Sequence, residues 1–444
     1  MLVPQSTELK ETQNTPQPLV PKGLAVLFFL VTALFFLWGV PSNLNDVLIR
    51  QFMKSFAISR FQAGLVQSAF YMGYFLLAIP AALLMRKMGY KFGIVVGLLL
   101  FASGAFLFWP AALLGRYGFF LFALFVIASG LSFLETASNP FIAQLGSPES
   151  AARRLNFSQA FNPLGAITGV LGGTVFIFSG VELTPQQVAV MQAANTYEPY
   201  LRRETMRVVV PYLVVGMVAL LWAFMIYRTK FPAIAREHEN DAHRGEDVQD
   251  HGSFRELLRY PNFLFAIVAQ FLYVGAQVGT WSYFIQYVQD GTHEPEKIAG
   301  YFLTGTLVAF GVGRFSSAAL MRYVRAAYLM GIYSLLNIGL VAVGVAFPGW
   351  VGLWAIFATS FFMSVMFPTI FALGIEGLDQ NTKIGGSLIV MAIVGGAVLT
   401  PLMGWISQTQ HSIAQAYMVP LFCYCGIALY SFVGVRMKRK EASV

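Results

Sequence analysis

The feature that most constrains this chain is a succession of continuous apolar runs, each about 20 residues long, separated by short polar loops. A bilayer core about 30 Å thick needs a helix of roughly that length. The runs do not alternate in polarity as the strands of a transmembrane β-barrel would. Only 11% of the residues are charged, whereas a soluble domain carries about 25%. We therefore predict an all-α membrane protein, and a soluble enzyme is excluded.

Twelve runs can be counted, and a long charged stretch divides them six and six. We predict spans at 23–40, 62–85, 92–112, 119–143, 157–180, 208–227, 262–288, 298–320, 326–347, 351–374, 385–406 and 416–436. The predicted organisation is a cytoplasmic N-terminal tail (1–22), an N-terminal six-helix bundle (23–228), a cytoplasmic linker (229–261), a C-terminal six-helix bundle (262–436) and a cytoplasmic tail (437–444).

The two halves of the chain resemble each other. Arg86 follows the second run and Arg322 follows the eighth, offset by 236 residues, and Gly39 and Gly275 share that offset. Two six-helix halves related by an axis along the membrane normal form the major facilitator architecture, in which the substrate site lies between the halves near the bilayer midplane. We therefore predict twelve transmembrane helices in the major facilitator fold.

The basic residues predict the orientation. With the N-terminus inside, 20 of the 29 Lys and Arg residues fall in inside segments, 8 fall in outside segments and Arg314 is left within a span. Because cytoplasmic loops carry the excess of positive charge, we expect both termini to be cytoplasmic and the protein to lie in the cell inner membrane. The same bias accounts for the net charge of +8, so we expect no nucleic-acid partner.

Two carboxylates stand apart from the polar loops. Most of the 21 Asp and Glu residues fall in tails and loops, but Asp46 follows the first apolar run and Glu135 lies within the fourth. An ionised carboxylate near the midplane costs several kcal/mol unless it is paired, hydrated or protonated. We predict that both residues take part in proton coupling. The alternative is a structural salt bridge, for which Arg314 is the candidate cation.

Amide side chains lie close to these carboxylates in sequence. Asn43 lies three residues before the first, Asn139 lies four residues after the second, and Gln159 and Asn162 are three apart in the fifth run. Residues three or four apart share a helix face. Buried amides need hydrogen-bond partners, and we predict that these residues and Glu135 bind sugar hydroxyls. Polar contacts between helices are the alternative.

The seventh run supplies the predicted opposite wall. It reads AQFLYVGAQVGTWSY and contains Gln270, Tyr273, Gln277 and Trp281. Aromatic faces are suited to the apolar faces of sugar rings, and the seven-residue spacing of the two glutamines favours one helix face toward a cavity. Packing between helices is the other interpretation of these aromatic residues.

At these positions the chain resembles the fucose–hexose proton symporter family, and within it the L-fucose permeases. The resemblance covers nearly the whole chain from Gly23. The segments that carry it are LFFLWGVPSNLNDVLIRQF, FQAGLVQSAFYMGYF, ETASNPF, RRLNFSQAFNPLGAI, AQFLYVGAQVGTWSY, YFLTGT and MFPTIFALGI.

The resemblance implies proton-coupled symport of L-fucose or a related hexose by alternating access. It implies that Asp46 and Glu135 are the essential carboxylates and that Gln159 and Asn162 are the amides of the fifth span. Met366 and Phe367 stand where the L-fucose permeases carry a more polar pair, so the family's glucose, galactose and N-acetylglucosamine members are also matched here. Phe367 is included among the predicted sugar-binding residues.

Three alternatives remain at this level, because fold alone does not determine function. They are a sodium-coupled glucose/galactose symporter, a drug–proton antiporter and a receptor that transports nothing. The amides and paired carboxylates argue against the last two. We predict a monomer whose partners are a small-molecule sugar, protons and the lipid bilayer, with no cofactor and no metal site.

Overall fold

The computed structural model describes residue 20 and residues 23–146, 151–231, 254–321, 323–378 and 382–434. All regular structure in these ranges is helical, with no strand. The two predicted tails, apart from residue 20, and residues 232–253 of the predicted linker lie outside the described residues, as does the end of the predicted last span at 435–436.

Eleven helices of the described ranges are long and apolar enough to cross a bilayer. They are span 1 (Ala25–Phe56), span 2 (Arg60–Met85), span 3 (Met88–Leu114), span 4 (Tyr117–Ile142), span 6 (Tyr197–Arg228), span 7 (Pro261–Ser282), span 8 (Glu296–Ser317), span 9 (Ala326–Ala346), span 10 (Trp350–Ile375), span 11 (Leu388–Thr409) and span 12 (Ile413–Val433). Gly89 separates spans 2 and 3 with φ at +81°, a backbone conformation that glycine adopts without steric cost.

The fifth span is formed by two helices, Ala151–Gln159 and Phe161–Phe176. It brings the number of spans in the described ranges to twelve. The predicted span at 157–180 lies mostly on the second of these helices, and Pro163 accounts for the interruption before it. Proline has no N–H to donate to the carbonyl four residues earlier, which here belongs to Gln159. The helical hydrogen-bond pattern of span 5 is therefore interrupted between the two predicted amides.

Span 1 continues past the predicted boundary. The sequence predicts an end at residue 40 and a bend at Pro41, but the helix runs without interruption to Phe56. The Ser42 hydroxyl donates to the carbonyl of Trp38 at 2.7 Å beside the missing proline hydrogen bond. Such local hydrogen bonds allow proline within transmembrane helices. Asp46 consequently lies inside the helix and not beyond its end.

The first six spans form one bundle and the last six form another. The bundles meet where span 2 packs along span 11 and span 5 packs against span 8. The end of the molecule at which span 1 ends and span 2 begins is called the distal end. The opposite end, at which the chain enters span 1, is called the proximal end.

Spans 1 and 5 approach each other through glycines. A Cβ atom on Gly165 would lie 2.1 Å from the carbonyl oxygen of Phe36, and one on Gly169 would lie 2.3 Å from that of Val40. Side-chain Cβ atoms do not fit at such distances, so only glycine permits this helix contact. Small residues at helix–helix contacts are typical of membrane proteins, where close packing stabilises the association.

We expect Gly165→Ala to destabilise the protein by about 1–3 kcal/mol, because the added methyl group must displace backbone. Gly172→Ala is the matched control on the same helix, since a Cβ there would meet nothing within 4 Å. Thermal unfolding in detergent measures both. Equal melting temperatures for the two variants would contradict the assigned packing of span 5 on span 1.

Candidate functional site

Asp46 lies at the contact between the two bundles. Its side chain is buried, with the residue only 3% exposed. Its Oδ1 accepts hydrogen bonds from Gln67 Nε2 of span 2 and from the hydroxyl of Ser282 of span 7, both at 2.9 Å. Gln67 Nε2 also donates to the Ser282 hydroxyl oxygen at 2.9 Å. One carboxylate oxygen is thus held by donors from both halves of the chain.

The predicted neighbour of Asp46 points elsewhere. The Asn43 amide donates to the carbonyl of Gly39 in its own helix at 3.3 Å and is half-buried. Instead, Asn45 completes the buried cluster, because its Nδ2 donates to Gln67 Oε1 at 3.5 Å. The structure therefore does not bring Asn43 into contact with the carboxylate.

Glu135 lies in the middle of span 4 and is half-buried. Its Oε1 accepts a hydrogen bond from the Tyr74 hydroxyl at 3.3 Å. One turn along the helix, Asn139 Nδ2 donates to the Glu135 carbonyl at 3.1 Å. Gln159 Nε2 reaches Asn139 Oδ1 at 3.5 Å from the end of the first helix of span 5. Three predicted sugar-binding residues therefore form one continuous polar surface.

This polar surface is accessible. Gln159 is exposed, and Glu135, Asn139 and Asn162 are half-buried. Asn162 lies just past the break in span 5, on the second helix. Gln159 and Asn162 therefore lie on either side of the break in span 5, and Gln159 is the one that contacts Asn139.

The five predicted residues of the second half fall into two groups. Gln277 and Phe367 are half-buried. Gln270 and Tyr273 are 0% exposed, and neither the Gln270 amide nor the Tyr273 hydroxyl has a hydrogen-bond partner among the described residues. Trp281 is buried and donates through Nε1 to Ser360 Oγ at 3.1 Å within its own bundle.

Arg314, the candidate cation for a structural salt bridge, lies in span 8. Its guanidinium carbon sits 5.6 Å from the centroid of the Phe310 ring. No ion pair joins it to Asp46 or Glu135 in the ranges that the structure describes. A salt bridge locking either carboxylate is therefore not observed in this conformation.

A buried ionic cluster near the distal end was missed, because the sequence interpretation assigned its cations to loops. Lys54 Nζ, at the end of span 1, lies 2.8 Å from Glu296 of span 8 and 3.3 Å from Glu204. The Glu296 side chain is 0% exposed. Arg50 pairs with Glu182 at 2.8 Å and approaches Glu296 at 3.9 Å. Glu296 is thereby a carboxylate of the second half held by cations of the first.

The rim of the distal end is closed by a second group of contacts. Arg60 forms an ion pair with Asp290, donates to Ser407 Oγ at 2.7 Å, and accepts at its carbonyl from the Tyr283 hydroxyl at 2.7 Å. Among the described residues, the side-chain hydrogen bonds between the bundles lie at the level of Asp46 or nearer this rim. These contacts close the molecule at the distal end.

A recess of about 760 Å³ remains outside this closure. Its lining includes Arg50, Arg60, Glu182, Asp290 and His411, and it contains neither predicted carboxylate. The recess is therefore a vestibule at the distal rim, separate from the polar surface that surrounds Glu135.

Two similar six-helix bundles, closed at one end around a shared carboxylate, define a membrane transporter. The chain belongs to the Major Facilitator Superfamily, whose sequence profile matches residues 24–383. It is 42% identical to the L-fucose-proton symporter of Escherichia coli K12, over 92% of this chain and 93% of that protein. It is 33% identical to the glucose/galactose transporter of Brucella abortus, over 91% and 93% of the two chains. These relatives are transporters and not enzymes.

A solved structure shows the same fold. The crystal structure of FucP, the Escherichia coli fucose:proton symporter, in its outward conformation superposes with a TM-score of 0.67. The sequence identity is 41%, covering 92% of this chain and 99% of that one. The twelve-helix fold predicted from the apolar runs is confirmed.

We expect the Lys54–Glu296 pair to be strongly coupled. Replacing either residue with Met leaves a buried charge without its main partner, at a cost of about 3–5 kcal/mol, and replacing both should cost less than the sum. A double-mutant cycle of denaturant unfolding in mixed micelles measures a coupling of about 1–3 kcal/mol.

The Arg60–Asp290 pair is the matched control for that cycle. Its side chains are 21% and 42% exposed, and exposed pairs contribute at most about 1 kcal/mol. Additive effects of Lys54→Met and Glu296→Met would contradict the assigned buried pair.

Proposed function

We propose that this protein is a proton-coupled symporter of L-fucose or a related hexose, working by alternating access. The main support for this proposal is that two carboxylates, Asp46 and Glu135, lie within membrane spans and have no ion-pair partner among the described residues. Such groups must be hydrated, hydrogen-bonded or protonated to be stable at that depth. The relatives named L-fucose-proton symporter support the choice of sugar and coupling ion.

We assign different roles to the two carboxylates. Asp46 is buried at the contact between the bundles, where its environment changes when the bundles separate. Glu135 lies on the accessible polar surface with Asn139, Gln159 and Asn162, where hydrogen bonds to sugar hydroxyls are available. Asp46 is therefore the proposed coupling site, and Glu135 is proposed both to bind sugar and to share in proton coupling.

The second half supplies the remaining proposed contacts. Gln277 and Phe367 are half-buried, and an aromatic ring stacks well on the apolar face of a sugar. Asn43, Gln270, Tyr273 and Trp281 are proposed to contact sugar in other conformations of the cycle. For the buried Gln270 and Tyr273, this requires the bundles to move. The unpartnered polar atoms of these two side chains could then form hydrogen bonds with sugar hydroxyls.

The proposed orientation puts both termini in the cytoplasm of a bacterial inner membrane. The excess of Lys and Arg in the segments at the proximal end supports this assignment. The distal end, which is closed in the described conformation, then faces the periplasm. We also propose that the two bundles are joined by a cytoplasmic linker and that the protein is a monomer.

The physical basis of coupling is the cost of moving charge through hydrocarbon. A carrier whose buried carboxylate is protonated reorients without a net charge, while an ionised one does not. Each proton that enters down a potential of 100 mV contributes about 2.3 kcal/mol to sugar accumulation. The second candidate is a sodium-coupled glucose/galactose symporter, favoured by the Brucella abortus relative and by the apolar pair Met366 and Phe367.

Uptake by proteoliposomes tests the coupling ion and the sugar together. We expect an acid-outside gradient in sodium-free buffer to drive accumulation of radiolabelled L-fucose. Unlabelled glucose and galactose serve as competitors, and liposomes without protein are the control. Accumulation that requires sodium would contradict proton coupling. If no hexose or 6-deoxyhexose competes at millimolar levels, the assignment of a sugar substrate is wrong.

Two substitutions separate the proposed roles. Asp46→Asn mimics the protonated state, so it should bind sugar and exchange internal for external sugar but should not accumulate it. Glu135→Gln should weaken binding by about 1–3 kcal/mol, because a buried donor or acceptor loses its partner. Calorimetry and counterflow measure the two properties. Asp46→Asn protein that still concentrates sugar would transfer the coupling role to Glu135.

A further inference from the structure

The contact between Asp46 and Ser282 joins equivalent positions of the two halves. The residues are 236 residues apart, which is also the offset between Gly39 and Gly275 in the internal repeat. Equivalent positions of two halves related by an axis along the membrane normal can meet only close to that axis. Ser282 is therefore the counterpart of Asp46, and the two touch at the centre of the contact between the bundles.

The hydrogen bonds at this contact have a defined direction. Gln67 contributes an N–H group and Ser282 an O–H group, and both are aimed at Oδ1 of Asp46. Donors stabilise an ionised carboxylate more than a neutral acid, since charge-assisted hydrogen bonds are roughly twice as strong as neutral ones. Gln67 and Ser282 are 1% and 0% exposed, so water does not compete for either donor.

The other groups around Asp46 do not supply charge. Asp46 acts electrostatically on two neighbouring titratable side chains, Tyr71 of span 2 and Tyr417 of span 12. Glu135 acts on the same Tyr71 from span 4. No Lys, Arg or His residue of the described ranges hydrogen-bonds to Asp46 or pairs with it. The two donors are therefore its direct side-chain partners.

One of these two hydrogen bonds depends on the conformation of the protein. Gln67 and Asp46 belong to the same bundle, but Ser282 belongs to the other. When the bundles separate at the distal end, Ser282 moves away from Asp46 and the second hydrogen bond is lost. The full set of donors exists only while the distal end is closed.

We propose that Ser282 and Gln67 form a proton-release element, in which closure of the distal end completes the donor set that stabilises ionised Asp46. The O–H bond of the Asp46 carboxyl group breaks, and its proton passes to water on the proximal side, toward the half-buried Asn43 one helical turn nearer that end. The electron pair stays on the carboxylate, and no other reactant is required. This inference rests on the proposed role of Asp46 as the coupling site.

The test compares Ser282→Ala and Gln67→Met with the control Ser68→Ala. Ser68 also forms a hydrogen bond between the bundles, from its hydroxyl to the carbonyl of Ala397 at 2.7 Å, but it does not touch Asp46. Each of the three variants replaces one polar side chain near the bundle interface with an apolar one. Only the first two remove a donor from the carboxylate.

Net L-fucose uptake is measured at constant external pH and constant membrane potential while the internal pH is varied. Removing a donor destabilises the ionised carboxylate, so the internal proton concentration that halves uptake should fall about tenfold in Ser282→Ala and Gln67→Met. Ser68→Ala should match the wild type. Exchange of internal for external sugar should be unchanged in all three, because it needs no proton release.

An infrared titration of the Asp46 carboxyl band, assigned by its absence in Asp46→Asn, gives a readout independent of transport. A shift of its midpoint to higher pH in both donor variants supports the proposal. An unshifted midpoint, or an equal shift in Ser68→Ala, overturns it. If the wild type shows no proton-driven uptake, the proposed symport fails, whereas the infrared result still decides whether the two donors stabilise ionised Asp46.

Discussion

A carboxylate surrounded by hydrocarbon must obtain from the protein what water would otherwise supply, and this requirement organises the molecule. Asp46 obtains it from Gln67 and Ser282, which come from different bundles. The same principle operates at the distal end, where the fully buried Glu296 depends on Lys54 of the other bundle. The polar groups that stabilise these buried carboxylates therefore also hold the two bundles together at the distal end. Such contacts are strong only when they are complete, so partial separation of the bundles at the distal end is unfavourable.

Proline and glycine determine how the polar residues are presented. Pro163 interrupts the hydrogen-bond pattern of span 5 between Gln159 and Asn162, and Gln159 reaches Asn139, one turn from Glu135. Gly165 and Gly169 then bring the second helix of span 5 against the backbone of span 1. Because that contact leaves no space for a side chain, spans 1 and 5 move together. The helix that carries the buried carboxylate is thereby tied to the helix that carries the amides of the polar surface.

The number of spans and their halves could be predicted from the sequence because bilayer thickness imposes a length on every apolar run. Asp46 and Glu135 could be found because charge is rare and costly in such runs. The end of span 1 could not be predicted in this way, because the continuation of the helix past Pro41 depends on a hydrogen bond donated by the Ser42 hydroxyl. The break in span 5 was readable in principle from Pro163, whose missing N–H is a property of the sequence.

The partners of the carboxylates were harder to predict. A single glutamine or serine in an apolar run costs little, so neither Gln67 nor Ser282 stands out, and their contact with Asp46 arises from the packing of spans distant in sequence. Lys54 and Glu296 lie at helix ends, where charge is ordinary. The repeat offset of 236 residues was the available signal for Ser282, because it identifies the residue that faces Asp46 across the axis.

That meeting of equivalent positions also bears on how such a chain can arise. In a symmetric dimer of six-span subunits, a residue on the axis faces a copy of itself. Two aspartates placed there would repel each other in a medium that screens charge poorly, whereas two serines would hydrogen-bond. An acid opposite a hydroxyl requires the two positions to carry different residues, and identical subunits cannot satisfy that requirement. The Asp46–Ser282 pair is therefore accessible to a diverged duplication, in which one half acquires the ionisable group while the other keeps a neutral donor.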